Sequence, residues 1–134
     1  MTPREIVETM LREDHFSKWL GLTLIHIDQG YCKAHLTITK DMLNGMQMTH
    51  GGISYSLADS VLAFAANSRG QKAVSIETSI SHLRPTFAGD QLNAEATEVH
   101  LGKTTAIYHV TVSNQEGKNV ALLKGTVHRS SEDW

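Results

Sequence analysis

One acidic residue stands alone in the least charged part of the chain. Asp59 is the single Asp, Glu, Lys or Arg between Gly51 and Ser68. A carboxylate among apolar side chains is costly unless it is paired or at work. Two readings stay open: a reacting carboxylate, or an Asp on the solvent edge of a helix, held by Ser56 or Ser60. Just upstream lies Thr49-His50-Gly51-Gly52. Glycines at a helix start let another group approach the backbone, and the first N–H groups of a helix lack partners. With the positive end of the helix dipole, they suit an oxyanion or a polarised carbonyl. The plainer alternative is a Thr49 cap and a flexible entry. His50 by itself reads most simply as structural.

Other chemistries find little support. The eight histidines sit at 15, 26, 35, 50, 82, 100, 109 and 128. No HxH or HxxxH puts two on one face, so no metal site is expected. Cys32 falls on an apolar strand phase and reads as core rather than nucleophile. GxSxG, Walker A and GxGxxG motifs are absent. The methionines of the preceding loop, Met42, Met46 and Met48, could line an adaptable apolar pocket or simply pack the loop.

These residues need a scaffold, and the pattern supplies one. Thr2-Pro3-Arg4-Glu5 reads as a capped helix start, with Ile6, Val7, Met10 and Leu11 on one stripe. A short turn, His15–Leu20, ends at Gly21. Leu22–Asp28 and Tyr31–Thr39 read as a hairpin closed by Gln29-Gly30. In the second strand Cys32, Ala34, Leu36 and Ile38 alternate with polar residues, giving one buried face and one wet face. Lys40–Thr49 is a loop with Asn44-Gly45 as turn dipeptide. Gly51–Ser68 is a helix of about 27 Å, apolar nearly all round and therefore buried. Arg69-Gly70 ends it. Four strands follow: Ala73–Arg84, Gln91–His100, Thr104–Ser113 and Asn119–His128. In the first of these Val74, Ile76, Thr78 and Ile80 alternate with Ser75, Glu77, Ser79 and Ser81. Tight turns between strands imply antiparallel pairing. The expected fold class is α+β, with a sheet wrapped around one long helix.

Composition bounds the rest. The 134 residues are 40% apolar and 19% charged, which suits one packed domain, residues 1–134, with a helical segment at 1–21. Twelve Lys and Arg against fourteen Asp and Glu leave −2, with no basic run to hold a phosphate backbone, so nucleic acid is not an expected partner. Asp59, Asn67 and four serines argue against a membrane span at Gly51–Ser68. The lone Cys32 fits a reducing cytosol, and MTPREIVETM lacks the order of a signal peptide.

Taken together, Asn44, His50-Gly51-Gly52 and Leu57-Ala58-Asp59 resemble the signature of the hotdog-fold acyl-CoA thioesterases, closest to the phenylacetate-degradation branch. Leu83-Arg84-Pro85, Gly89-Asp90, Gly102-Lys103 and Val120-Ala121-Leu122…Gly125-Thr126 extend the likeness over roughly Leu22 to His128. The resemblance implies a hotdog fold of about five or six strands and hydrolysis of aryl- or medium-chain acyl-CoA without cofactor or metal. It implies Asp59 as general base or nucleophile and the Gly51 N–H as the donor to the thioester carbonyl. Asn44 and His50 would lie near the reacting group, and Gly52 would help bind substrate. Ser75 matches a position that holds water in some relatives. Arg84 and Lys103 would contact CoA phosphates, with a solvated surface as the alternative. Two further readings remain: a hydratase or dehydratase pairing His50 with a carboxylate, and a module that binds acyl-CoA without turning it over.

Spacing adds a constraint. Gly51 and Asp59 are separated by about 12 Å along one helix, whereas donor and attacking group must each lie about 3 Å from the reacting centre. One helix does not easily supply both. Two chains can, which agrees with the shared sites of the family and with a dimer, or a dimer of dimers.

Overall fold

The computed structural model describes residues 1–134. Its helices are α1 (Pro3–Glu13), α2 (His15–Leu20) and α3 (Gly51–Asn67). Its strands are β1 (Thr23–Asp28), β2 (Tyr31–Thr37), β3 (Gln71–His82), β4 (Gln91–Leu101), β5 (Thr105–Ser113) and β6 (Asn119–Asp133). The strands form one antiparallel sheet in the order β1-β2-β4-β5-β6-β3. Helix α3 touches all six strands. The expected helix wrapped by a sheet is what forms, with six strands.

Local signals explain most boundaries. Thr2 caps α1 through a reciprocal box: Glu5 N–H donates to Thr2 Oγ1 at 3.2 Å, and Thr2 N–H donates to Glu5 Oε2 at 2.8 Å. The segment His15–Leu20, expected as a turn, is a helix, because Asp14 Oδ1 accepts the Ser17 N–H and Gly21 closes it with φ +82°. Helix α3 stops one residue before the expected Ser68, which serves as its C-cap. Strand β6 runs to Asp133, five residues past expectation, because β3 continues to pair with it down to Gln71–Asp133.

The core lies between the concave face of the sheet and α3. Cys32, Ala96, Val110, Leu123 and Ile80 stand in register across five strands, and Ala34, Ala94, Val112, Ala121 and His82 form the next row. Small side chains let the helix approach closely. A Cβ on Gly125 would stand 2.5 Å from Leu62 Cδ2, so a larger residue at this strand position would force Leu62 to move within the core. Burial pushes the Cys32 thiol up to about 12, as befits a core residue.

Strand β3 departs from its sequence pattern. A bulge between Ser75 and Glu77 breaks the alternation. Val74 and Ile76 are left 65% and 60% exposed on an edge strand that no other strand of the chain covers. No helix is long and apolar enough to cross a membrane.

Candidate active site at the start of the long helix

A cleft of about 300 Å³ opens beside the first turn of α3. It is lined by Asn44, Met48, Thr49, Gly51, Ser54 and the segment His82–Thr86, with Val120 behind. Its walls are tied together by the backbone. The Thr49 N–H donates to Thr86 O at 2.8 Å, and the Thr86 hydroxyl donates to Thr49 Oγ1 at 2.7 Å. The Leu83 and Arg84 N–H groups both donate to Val120 O.

The helix start is assembled differently from expectation. His50, not Thr49, is the N-cap: its Nδ1 accepts the Gly52 N–H at 2.8 Å, and its carbonyl accepts the Ile53 N–H at 2.9 Å. Thr49 instead holds Thr86. His50 Nδ1 and the Gly52 N–H therefore satisfy each other. The Gly51 N–H has no partner in the chain and opens onto the cleft. Asn44 sits across from it. Its Oδ1 accepts the N–H groups of Met46 and Met48, at 2.9 and 3.3 Å, which folds the loop over itself. Its Nδ2 donates to no protein group. Gly51 and Asn44 thus bring two free N–H donors to one cleft, a pairing suited to a carbonyl oxygen that gains charge.

Of the loop methionines, Met48 lines this cleft, Met42 packs into the core, and Met46 lies in solvent. Sequence reasoning missed His82. It ends β3 in register with Ala121, is exposed, and a Cβ on Gly51 would stand 3.3 Å from its Cε1 and Nε2. Its Nδ1 lies 3.4 Å from Ser54 Oγ. The available signal was its place directly before Leu83-Arg84-Pro85.

Asp59 lies two turns further along α3 and is not part of this cleft. Neither serine that might have held it does so. The Ser56 hydroxyl donates to Gly52 O at 2.6 Å, and Ser60 Oγ shares a hydrogen bond with Ser17 Oγ at 2.9 Å. Asp59 is half-buried and makes no hydrogen bond or ion pair, and burial holds its pKa above the ordinary carboxylate range. Beside it, β3 runs antiparallel to α3: Gly51 faces His82, and the Tyr55 hydroxyl meets Thr78. Asp59 is one turn beyond Tyr55, toward the Ser75 end of that register. Ser75 itself is exposed and makes no side-chain hydrogen bond.

Arg84 lies on the rim of the cleft without an acidic partner. Lys103 does not join it. It sits exposed in the β4–β5 turn, while the cleft adjoins Val120 at the other end of the sheet. Within one chain the structure therefore gathers Asn44, Gly51 and Arg84, joins His50 to Gly52 at the cap, and leaves Asp59, Ser75 and Lys103 elsewhere. No three His, Cys, Asp or Glu side chains converge on one point.

Comparison with known proteins gives a consistent picture. Residues 46–121 match the family model described as the thioesterase superfamily. Acyl-coenzyme A thioesterase PaaI of Escherichia coli is 45% identical over 120 residues, covering 90% of this chain and 86% of that protein. The solved structure of E. coli PaaI, from the phenylacetic acid degradation operon, superposes with a TM-score of 0.96 at 41% identity, covering 98% of this chain and 95% of that one. A Streptococcus mutans protein solved with acetyl CoA superposes with a TM-score of 0.82 at 27% identity, covering 84% and 91%.

Proposed function

The chain belongs to the thioesterase superfamily, and from that premise we propose that it hydrolyses acyl-CoA thioesters to a free acid and CoA. The observation that carries this reading is a pair of unmatched groups on one helix: a free N–H at Gly51 facing a cleft, and an unpaired, half-buried carboxylate at Asp59. Neither group is used by the fold itself, so both are free for a ligand or a reaction.

In this mechanism the thioester carbonyl accepts hydrogen bonds from Gly51 N–H and Asn44 Nδ2, which stabilise the oxyanion as it forms. The attacking group comes from Asp59. Either it takes a proton from water whose oxygen adds to the carbonyl carbon, or its own oxygen adds and water opens the resulting mixed anhydride. In both routes the C–S bond breaks, the sulfur leaves with the electron pair, and the thiolate gains a proton as CoA. A raised pKa makes Asp59 a stronger proton acceptor than an exposed Asp once it is ionised. His50 acts by holding the helix start, with Gly52 as the partner of its ring. Ser75 is assigned to the water side of the carboxylate. Arg84, with no acidic partner, is the cleft's candidate for a CoA phosphate. Lys103 would reach that phosphate only from another chain.

Because Gly51 and Asp59 of one chain stand two turns apart, the working site pairs Gly51 of one chain with Asp59 of another. The uncovered β3 edge, with Val74 and Ile76 in solvent, supports a homodimer, and two such dimers give the homotetramer. Residues 1–134 act as one domain, since Val7 of α1 shares the core of the sheet. Acyl groups of aryl or medium aliphatic type suit a cleft floored by Met48, and a cytoplasmic setting suits the buried free thiol of Cys32. The hydratase reading is less well supported, because no carboxylate pairs with His50 within the chain and its Nδ1 accepts the Gly52 N–H.

The test is release of free thiol from a panel of aryl- and alkyl-CoAs. Wild type should turn over, and Asp59→Asn should lose nearly all turnover while keeping its fold. If that variant hydrolyses as fast as wild type, Asp59 is not the attacking group.

A further inference from the structure

His82 is unused by the mechanism above, yet it stands against the residue that would hold the carbonyl. Its chemistry can be read from its neighbours. The Ser54 hydroxyl has one proton, and it is donated to Gly51 O, an acceptor that has no proton to return, at 3.2 Å. The 3.4 Å contact between Ser54 Oγ and His82 Nδ1 therefore needs its proton from the ring. With the Ser54 proton on Gly51 O, the matching neutral tautomer has Nδ1–H bonded to Ser54 and a lone pair on Nε2. Nε2 makes no other hydrogen bond and lies 3.3 Å from where a Gly51 Cβ would be. In that tautomer the cleft presents donors at Gly51 and Asn44 and an acceptor at His82.

The substrate must match all three. A thioester group has acceptors only, so it can use Gly51 and Asn44 but gives His82 nothing. The nearest N–H that an acyl-CoA has to offer is the amide of the cysteamine arm, two carbons beyond the sulfur. We propose that His82 Nε2 accepts the hydrogen bond of this amide and so selects thioesters whose thiol arm carries an N–H at that distance. Ser54 acts through His82 as a positioning residue. The proposal rests on the thioesterase reading and narrows it: recognition starts on the leaving group, next to the sulfur, and not only at distant phosphates.

The experiment compares two small thioesters with the same acyl group. One is the S-acyl N-acetylcysteamine, which keeps the amide. The other is the S-acyl ester of 3-methylbutane-1-thiol, which replaces it with a branched carbon. Wild type should prefer the amide-bearing substrate by about tenfold in kcat/KM, the size of one hydrogen bond. His82→Phe should bring that ratio to about one, and His82→Gln, whose Oε1 can accept, should restore part of it. His82→Ala serves as a second variant without an acceptor if the Phe ring disturbs packing. A ratio still near tenfold in the Phe or Ala variant, or no preference in wild type, overturns the proposal. Failure of wild type to release thiol from acyl-CoA or from either small thioester would instead bring down the thioesterase reading itself, so the two failures are told apart.

Discussion

The two ends of α3 handle their polar groups in opposite ways. At the C-terminal end everything is matched. Asn67 is 2% exposed, yet its Nδ2 donates to Ala63 O and Ala73 O, and its Oδ1 accepts from the Ala73 N–H and the Trp134 ring N–H. Arg69 grips Glu98 with two nitrogens, at 3.0 and 2.8 Å, and the Tyr108 hydroxyl donates to the same carboxylate at 3.0 Å. At the N-terminal end the Gly51 N–H, Asn44 Nδ2 and His82 Nε2 are unmatched, and further along the helix so is Asp59. The two carboxylates record the contrast. Burial raises both, but at Glu98 the hydrogen bonds from Arg69 and Tyr108 more than offset it and the net shift is down. Asp59 has no such partners and stays up. Matched polar groups hold the structure together, and unmatched ones mark where substrate is expected.

The contrast can be broken from either side. Its largest consequence is for turnover: Asp59→Asn should lower kcat on acyl-CoA by about a thousandfold, on the scale of an essential base or nucleophile. The matched end should respond in stability instead. Asn67→Ala leaves the Ala73 N–H and the Trp134 ring without partners, and chemical denaturation should show a loss of about 3 kcal/mol. Glu98→Gln should cost about 2 kcal/mol at neutral pH. Because the folded pKa of Glu98 is depressed, its contribution is present above the unfolded value of 4.5 and is lost as pH falls through the folded value. The difference between Glu98→Gln and wild type should therefore shrink in acid. His50→Ala, which removes the cap, should lower stability by about 1 kcal/mol.

The subtlest effect concerns the stability of Asp59→Asn itself. With its folded pKa raised, Asp59 adds stability below its unfolded value of 3.8, and that contribution disappears as pH rises through the folded value. The Asn variant should therefore melt slightly above wild type at pH 7 and lose that advantage toward pH 4. A carboxylate whose removal costs activity and gains stability is the expected mark of a working group.

Much of this was legible in the residues. The alternation of Cys32, Ala34, Leu36 and Ile38 gave β2 its buried face, and all four are buried. The apolar run around Asp59 pointed to a buried helix, and α3 is buried against the sheet. Strand β3 misled, because alternation assumes a regular strand between two neighbours. A bulge and an open edge put Val74 and Ile76 in solvent instead. The Thr49 cap misled too, since the adjacent His50 ring reached the Gly52 N–H first. His82 was invisible as a cleft residue because its partners, Gly51 and Ser54, are brought to it only when β3 folds back along α3.

The sequence by itself determined the elements, their order and the chemical types on the long helix, because periodicity, capping and residue charge act over a few neighbouring residues. Only the tertiary structure decided which polar groups found partners. Hydrogen bonding in the folded chain joins residues far apart in sequence, such as Arg69 with Glu98 and Ser54 with His82. What those bonds leave over, at Gly51, Asn44, Asp59 and His82, is settled by folding and not by local pattern.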